Sequence, residues 1–241
     1  MNLSTEALIV LGVIAFYIYD SAILVYSNNL VFSESFGRWF VFFPSESWRI
    51  SGKLLFIPNP LIPCNLLFLS NWTTSERLSE DKLNNLLELI NAARPLRIVV
   101  MSLMILLIII LPLSIFNYGV GFITLMSLLL IYIIILGMLI YTFLYRRKLG
   151  LDTKVFFSLA FEAISCPPFA LNIIRKITLR QQPCSCSIEF ASKYLEVKDS
   201  KEFCNKLHQK ITEELLDEDN ESSSPNNALK KYRDKLLSMQ T

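Results

Sequence analysis

The sequence predicts a mainly α-helical membrane protein, with three transmembrane helices and a small α+β part outside the bilayer. Of its 241 residues, 53% are hydrophobic and only 18% are charged, whereas about a quarter of the residues of a soluble domain are charged. The apolar residues are also grouped, and a helix needs about 20 of them to cross a hydrocarbon core about 30 Å thick. Three runs have that length, and they cover residues 7–26, 98–116 and 120–145. A wholly soluble protein is therefore excluded.

The positive charges predict how these helices are oriented. All 23 Lys and Arg residues lie within 28–97 or after residue 145, and none lies before the first run or at 117–119, between the last two runs. Because Lys and Arg stay preferentially on the cytoplasmic side, we expect the N-terminus and the 117–119 turn outside and both basic regions in the cytoplasm. The expected location is a plasma membrane, in particular the inner membrane of a bacterium.

A fourth apolar run covers residues 155–174. It contains Glu162 and the pair Pro167–Pro168, and it has Lys154 before it and Arg175 after it. Basic residues at both ends disfavour a crossing, since either orientation places a basic cluster outside. We therefore expect an interfacial or re-entrant segment; a crossing is the alternative and would put the C-terminal region outside.

Residues 30–72 predict a small β-sheet, because short runs of aromatic and β-branched residues alternate with Pro, Gly, Ser and Asn. The candidate strands are residues 38–43, 48–57 and 65–70, with a turn at 44–47. Aromatic side chains are dense here, and we interpret them as core plus an interfacial belt in preference to a ligand-stacking cage. They are Phe36, Trp39, Phe40, Phe42, Phe43 and Trp48.

Two amphipathic helices are predicted outside the bilayer. The first begins at a capping box formed by Thr73 and Glu76, and Pro95 is expected to end it. The second covers residues 200–216, where an apolar residue recurs at every fourth position. The apolar positions are Leu83, Leu86, Leu87 and Ile90 in the first helix, and Phe203, Leu207, Ile211 and Leu215 in the second.

The chain is thus expected to have six segments. An acidic, serine-rich stretch near the C-terminus has the composition of a disordered linker, and the residues after it form a basic amphipathic tail suited to a membrane surface or a partner. The segments are an N-terminal transmembrane helix (1–27), a strand-rich region with its helix (28–97), a transmembrane hairpin (98–145), a cytoplasmic region (146–216), the linker (217–227) and the tail (228–241).

Two carboxylates are the candidate functional residues. Asp20 lies within the first apolar run and Glu162 within the fourth. A carboxylate at the bilayer centre costs about 2.5 to 3.5 kcal/mol on insertion scales, and it marks a functional site by default. Hydrogen bonding of Asp20 at the interface, and exposure of Glu162 to water, are the simpler alternatives. Nothing in the spacing shows that the two residues meet.

No catalytic, cofactor-binding or metal-binding motif is recognised. The five cysteines are interpreted as reduced thiols, because Cys184 and Cys186 are one residue apart, a spacing that structural zinc sites do not favour. The single histidine, His208, is expected to face solvent. The seven glycines form no phosphate-binding loop. No cofactor is therefore expected.

These observations favour a non-enzymatic scaffold, adaptor or assembly subunit. Its expected partners are the lipid bilayer and proteins bound through the amphipathic helices and the C-terminal tail. The net charge of +2 gives no reason to expect nucleic acid. The alternative is a small transporter, channel or ion-coupled subunit using Asp20, and a third reading is an interfacial enzyme using Glu162 or Asp20.

Overall fold

A computed structural model describes residues 4–44, 48–72, 80–119, 121–181 and 187–220. The chain is mostly helical, with a small sheet region. The helices are α1 (Thr5–Ser21), α2 (Glu80–Ile105), α3 (Leu111–Tyr118), α4 (Phe122–Leu144), α5 (Thr153–Ser165), α6 (Pro167–Ala170), α7 (Ile173–Leu179), α8 (Ser187–Tyr194) and α9 (Val197–Asn220). The strands are β1 (Ile23–Val25), β2 (Asn29–Ser35), β3 (Arg38–Phe42), β4 (Arg49–Ile50), β5 (Lys53–Phe56) and β6 (Leu66–Asn71).

Two helical segments are long and apolar enough to cross a membrane, Asp81–Tyr118 and Phe122–Leu144. The first joins α2 to α3 through a π-helical turn at Leu106–Ile110. In this turn the Leu111 N–H donates to the Leu106 carbonyl, one residue further back than in an α-helix. Such a widened turn accommodates Pro112, which has no N–H to donate.

The sequence predicts that Pro95 ends the first amphipathic helix, and this prediction is wrong. Pro95 lies inside α2, which runs without a break from Glu80 into the candidate span. An internal proline costs a helix about 3 kcal/mol, but Leu89 and Leu96 on either side of it are almost fully buried. Their packing outweighs the local cost of the proline.

The predicted helical hairpin is confirmed at its turn. Gly119 ends α3 with a φ of 61°, a left-handed conformation that glycine adopts without a steric penalty. Its N–H donates to the Ile115 carbonyl at 2.9 Å, and its own carbonyl accepts a hydrogen bond from the Thr124 hydroxyl at 2.7 Å. These two hydrogen bonds connect the end of α3 to the first turn of α4 where the chain reverses.

The first apolar run is a helix only in part. Ser4 caps α1, accepting a hydrogen bond from the Ala7 N–H, and the helix ends at Ser21. The prediction of a helix to residue 26 is wrong, because Ile23–Val25 forms β1 and pairs with β5. The 17 residues of α1 have a length of about 25 Å.

The strands form two antiparallel sheets, with the orders β1-β5-β4 and β3-β2-β6. The predicted single strand at 48–57 is wrong: Ser51 and Gly52 have φ values of 50° and 79° and connect β4 to β5 as a two-residue hairpin. Phe36 and Gly37 connect β2 to β3 in the same way. The central strand β2 was not predicted, because its residues are buried on both faces and show no alternation.

The second sheet is covered by α7, α8 and α9. Phe190 of α8 packs edge-on against Phe32 at 5.1 Å and against Trp39 at 4.8 Å. On α9, Phe203 and Ile211 are buried, which confirms the predicted apolar face there. α9 continues to Asn220 and so includes the first four residues of the predicted linker (217–227).

Several predictions lie outside the described residues. They are the turn residues 45–47, the capping box at Thr73 and Glu76, Cys184 and Cys186, and residues 221–241, which include most of the linker and the whole tail.

The fourth apolar run is a broken helix. α5 ends at Ser165, the two prolines begin α6, and α7 follows after a two-residue turn. α5 folds back on α4, since Phe156 near its start packs against Phe143 near the end of α4 at 5.2 Å. α7 packs instead on β6, where the Leu67 N–H donates to the Thr178 hydroxyl at 3.0 Å. This path brings α5, α6 and α7 beside the end of α1.

Candidate functional site

The two carboxylates predicted from the sequence meet at one lysine. The ammonium Nζ of Lys176 lies 2.6 Å from Oδ1 of Asp20 and 2.7 Å from Oε2 of Glu162. The structure therefore joins the last turn of α1 to α5 through α7. We call this group, with the residues that support it, the α1–α7 clamp; its charged centre is Asp20, Glu162 and Lys176.

The break between α5 and α7 places Lys176 at this point. Pro167 and Pro168 cannot continue α5, so α6 turns the chain against α1, where Phe169 packs edge-on against Phe16 at 6.3 Å. The Lys176 ammonium lies 5.0 Å from the centre of the Phe169 ring, which adds a cation–π contact to its two ion pairs.

Asn172 is the buried hydrogen-bonding centre of the clamp. It is 1% exposed, and its side-chain Nδ2 donates to Oδ2 of Asp20 at 3.1 Å. Its Oδ1 accepts hydrogen bonds from the Ser21 hydroxyl at 3.1 Å and from the Arg175 guanidinium at 3.2 Å. Asn172 thus fixes the orientation of the Asp20 carboxylate that Lys176 pairs with.

Arg175 extends the clamp to the proline-rich connection before β6. Its guanidinium donates to the backbone carbonyls of Asn59 and Ile62, each at 2.7 Å, and the Tyr17 hydroxyl donates to the Pro60 carbonyl at 2.6 Å. Burial lowers the pKa of the Arg175 guanidinium, although an arginine remains charged at neutral pH. Its Nε is buried without a hydrogen-bond partner in the described part of the chain.

The clamp opens to the surface at one end. Asp20 is 11% exposed, Lys176 21% and Glu162 38%. Lys176 is the cation that pairs with both carboxylates, whereas the Arg175 guanidinium donates to Asn172 and to backbone carbonyls. The simplest chemistry of this arrangement is to hold α1 against the α5–α7 segment, and Glu162 is the group that solvent reaches most easily.

A second buried ion pair was not predicted from the sequence. Arg97 of α2 pairs with Glu34 of β2, and their side chains are 7% and 4% exposed. Oε1 of Glu34 also accepts a hydrogen bond from the Gly37 N–H at 2.7 Å. This pair connects the second sheet to the helix that enters the first candidate span.

Of the other candidate residues, Cys64 lies close enough to Arg175, and Cys166 close enough to Asp20 and Lys176, to interact with the clamp electrostatically. His208 on α9 is half-buried, so its predicted exposure to solvent is corrected: it lies next to the buried Leu207. Among the described cysteines, Cys64, Cys166 and Cys204 are free thiols, and burial raises the pKa of Cys64 and Cys204. No cluster of three or more His, Cys, Asp or Glu residues within the described ranges is suited to hold a metal ion.

One sequence signal points to the clamp. Asn172 and Lys176 are four residues apart at the end of an apolar run, and residues at this spacing lie on one face of a helix. In the sequence, Lys176 is only one of the basic residues that follow the fourth apolar run. Its partners are 14 and 156 residues away in the chain, which no local pattern reveals.

Comparisons with protein-family models, with curated proteins and with solved structures find no match to this chain.

Proposed function

We propose that the chain is an integral membrane protein with three transmembrane helices, formed by α1, by α2 to α3, and by α4. The N-terminus and the Gly119 turn lie outside, and both sheets with α7 to α9 lie in the cytoplasm of, most simply, a bacterium. The charge distribution supports this orientation. The exposed apolar surface of α1 supports its assignment as a transmembrane helix beside the two longer ones. On this surface Leu8, Leu11 and Phe16 are each at least half exposed.

Its proposed role is a non-enzymatic assembly subunit that holds a partner protein at the membrane. The amphipathic helices offer little of this surface, because most of their buried apolar side chains pack against the chain itself. Leu86, Leu89 and Leu207 are nearly inaccessible, whereas Leu87 is 42% exposed. The partner therefore needs another surface.

The outer edge of β3 supports this role best. Among the described strands, β3 is hydrogen-bonded to β2 alone, and Phe40 and Phe42 on it are 39% and 43% exposed. The two-residue hairpin makes Ser35 and Arg38 a hydrogen-bonded pair, and such pairs alternate along an antiparallel ladder. The backbone groups of Trp39 and Val41 consequently point away from β2.

An edge of this kind accepts an extended segment as an additional strand. Natural sheets usually protect an exposed edge with lysines, prolines or bulges, whereas β3 carries aromatic side chains. A hollow of about 190 Å³ beside it is lined by Phe43, by Asp199 and by Glu202, which is paired with Lys206, among others. The partner segment is therefore an apolar extended strand with a basic side chain that reaches Asp199.

A photo-crosslinking amino acid at Phe40 tests this proposal in native membranes. We expect one discrete protein adduct that is lost when Val41→Pro removes the outward N–H, and that persists with Val41→Ala, which keeps it. Proline is tolerated on an edge strand, and a melting curve of each variant in mild detergent checks its fold. An adduct with lipid alone, or one that Val41→Pro leaves unchanged, contradicts the proposal.

The α1–α7 clamp favours a second candidate, an ion-coupled subunit. A carboxylate beside a broken helix resembles the arrangement in which transporters hold coupling ions. In this case Asp20→Asn abolishes an ion flux into vesicles containing the purified chain, while Lys201→Gln, a change at an exposed residue of α9, leaves the flux unchanged. A flux that persists in Asp20→Asn, or no flux at all, contradicts the second candidate.

A further inference from the structure

An apolar groove runs between α4 and α5. Its volume is about 680 Å³, and all nine side chains that line it are apolar, four from α4 and five from α5. On α4 the groove extends from Leu136 to Phe143, a length of about 10 Å. This is about two thirds of one leaflet of the hydrocarbon core.

The apolar side chains that line the groove are too exposed for this surface to be stable in water. Phe161 is 74% exposed, Phe157 61% and Leu136 56%. Large contiguous apolar surfaces mark an interaction site or a membrane contact. The position of the groove along a candidate span makes lipid the neighbouring phase.

Two cations lie at the end of the groove nearest the α4–α5 connection. The guanidinium of Arg146 lies 4.4 Å from the centre of the Phe143 ring, and it donates to the Phe143 carbonyl at 3.2 Å. Lys154 is exposed and precedes Phe157 by three residues, so both lie on the same face of α5. The nearby Asp152 carboxylate caps α5 by accepting a hydrogen bond from the Thr153 N–H at 2.8 Å.

We propose that this groove binds one acidic phospholipid. An acyl chain lies between α4 and α5, and the phosphate lies against Arg146 and Lys154. The apolar lining matches the acyl chain, and the positive charges of Arg146 and Lys154 match the anionic headgroup. The proposal rests on the membrane topology proposed above, and it is independent of whether β3 binds a partner.

Lipid retention by the purified full chain tests the inference. The delipidated protein in mild detergent is titrated with phosphatidylglycerol or phosphatidylcholine that carry the same two acyl chains, and bound lipid is counted by native mass spectrometry. We expect one phosphatidylglycerol per chain, held about 25-fold more tightly than phosphatidylcholine. The estimate is about fivefold for each basic group near an anionic headgroup.

Variants separate the headgroup contact from the groove. Arg146→Gln and Lys154→Gln each reduce the preference for phosphatidylglycerol about fivefold. Ala160→Trp instead fills the groove and lowers the affinity for both lipids. Lys148→Gln is the matched control, because Lys148 pairs with Glu88 at 3.4 Å and lines a different cavity. We expect this variant to leave the affinity for both lipids unchanged.

Three results would overturn the inference. They are equal affinity for the two lipids, a loss in Lys148→Gln as large as in Arg146→Gln, and displacement of the lipid by glycerol phosphate at a similar concentration. The last result means that a free phosphate suffices and that the groove holds no chain. None of these results bears on the Val41→Pro crosslinking test, so the two proposals fail separately.

Discussion

Replacing Lys176 by methionine removes the cation from the centre of the α1–α7 clamp. Methionine keeps most of the side-chain volume and the contact with Phe169, so the change is chiefly one of charge. Asp20 and Glu162 both contact the same Nζ, at 2.6 Å and 2.7 Å, and their oxygens are therefore no more than about 5 Å apart. In the variant these two carboxylates face each other without compensation.

The size of the effect follows from this geometry. Two like unit charges about 5 Å apart repel by about 3 kcal/mol at an effective dielectric constant of about 20. Glu162 is 38% exposed, and solvent screening reduces the repulsion by roughly half. Loss of the two attractions adds to what remains, so we expect Lys176→Met to lower the free energy of unfolding by about 2 to 3 kcal/mol.

The assay is thermal unfolding of the full chain in mild detergent, with a double variant to isolate the charge effect. Lys176→Met with Glu162→Gln should recover about half of the loss, because the repulsion is gone. Lys201→Met, a change at an exposed residue of α9, should leave the melting temperature unchanged. A Lys176→Met protein as stable as the parent, or a double variant less stable than Lys176→Met, would refute the clamp.

Three further predictions concern the parts around the clamp. Arg97→Met leaves Glu34, 4% exposed, without its cation and should cost about 3 to 5 kcal/mol in the same melting assay, with most of the loss recovered when Glu34→Leu is added. Gly37→Val places a β-branched residue at a φ of 91° and should cost about 1 to 2 kcal/mol, measured likewise. Cys64 is 1% exposed and its pKa is raised by burial, so peptide mass spectrometry should find it unmodified by N-ethylmaleimide at pH 7 until the protein is denatured; rapid native labelling would contradict this burial.

Helices and their apolar faces were the parts that local sequence patterns could predict. The runs at 98–116 and 120–145 correspond to α3 with the end of α2 and to α4, and the recurrence of apolar residues on α9 matches its buried face. The 3.6-residue period is a local property, so one stretch of sequence contains it. The predicted ends of helices were wrong where tertiary contacts determine them. Pro95 lies inside α2, and at Ile23 the pairing with β5 replaces a helix by a strand.

Two residues of the clamp could be predicted from the sequence, but the contacts that bring them together could not. Asp20 and Glu162 stood out because carboxylates are costly in apolar runs. Lys176 joins them through a break at two prolines, and Asn172 orients Asp20 from 152 residues away. Contacts of that separation depend on the whole fold, as does the pairing of Arg97 with Glu34.

The side of the membrane on which each region lies tests the central claim most directly. Single cysteines are introduced at three exposed positions in a chain whose native cysteines are replaced by serine: Ser4→Cys, Tyr118→Cys and Lys201→Cys. A membrane-impermeant maleimide is then applied to intact spheroplasts of the expression host. With three transmembrane helices, the first two cysteines are labelled at once, and Lys201→Cys is labelled only after the membrane is opened. Labelling of Lys201→Cys together with Tyr118→Cys in intact spheroplasts would contradict the account.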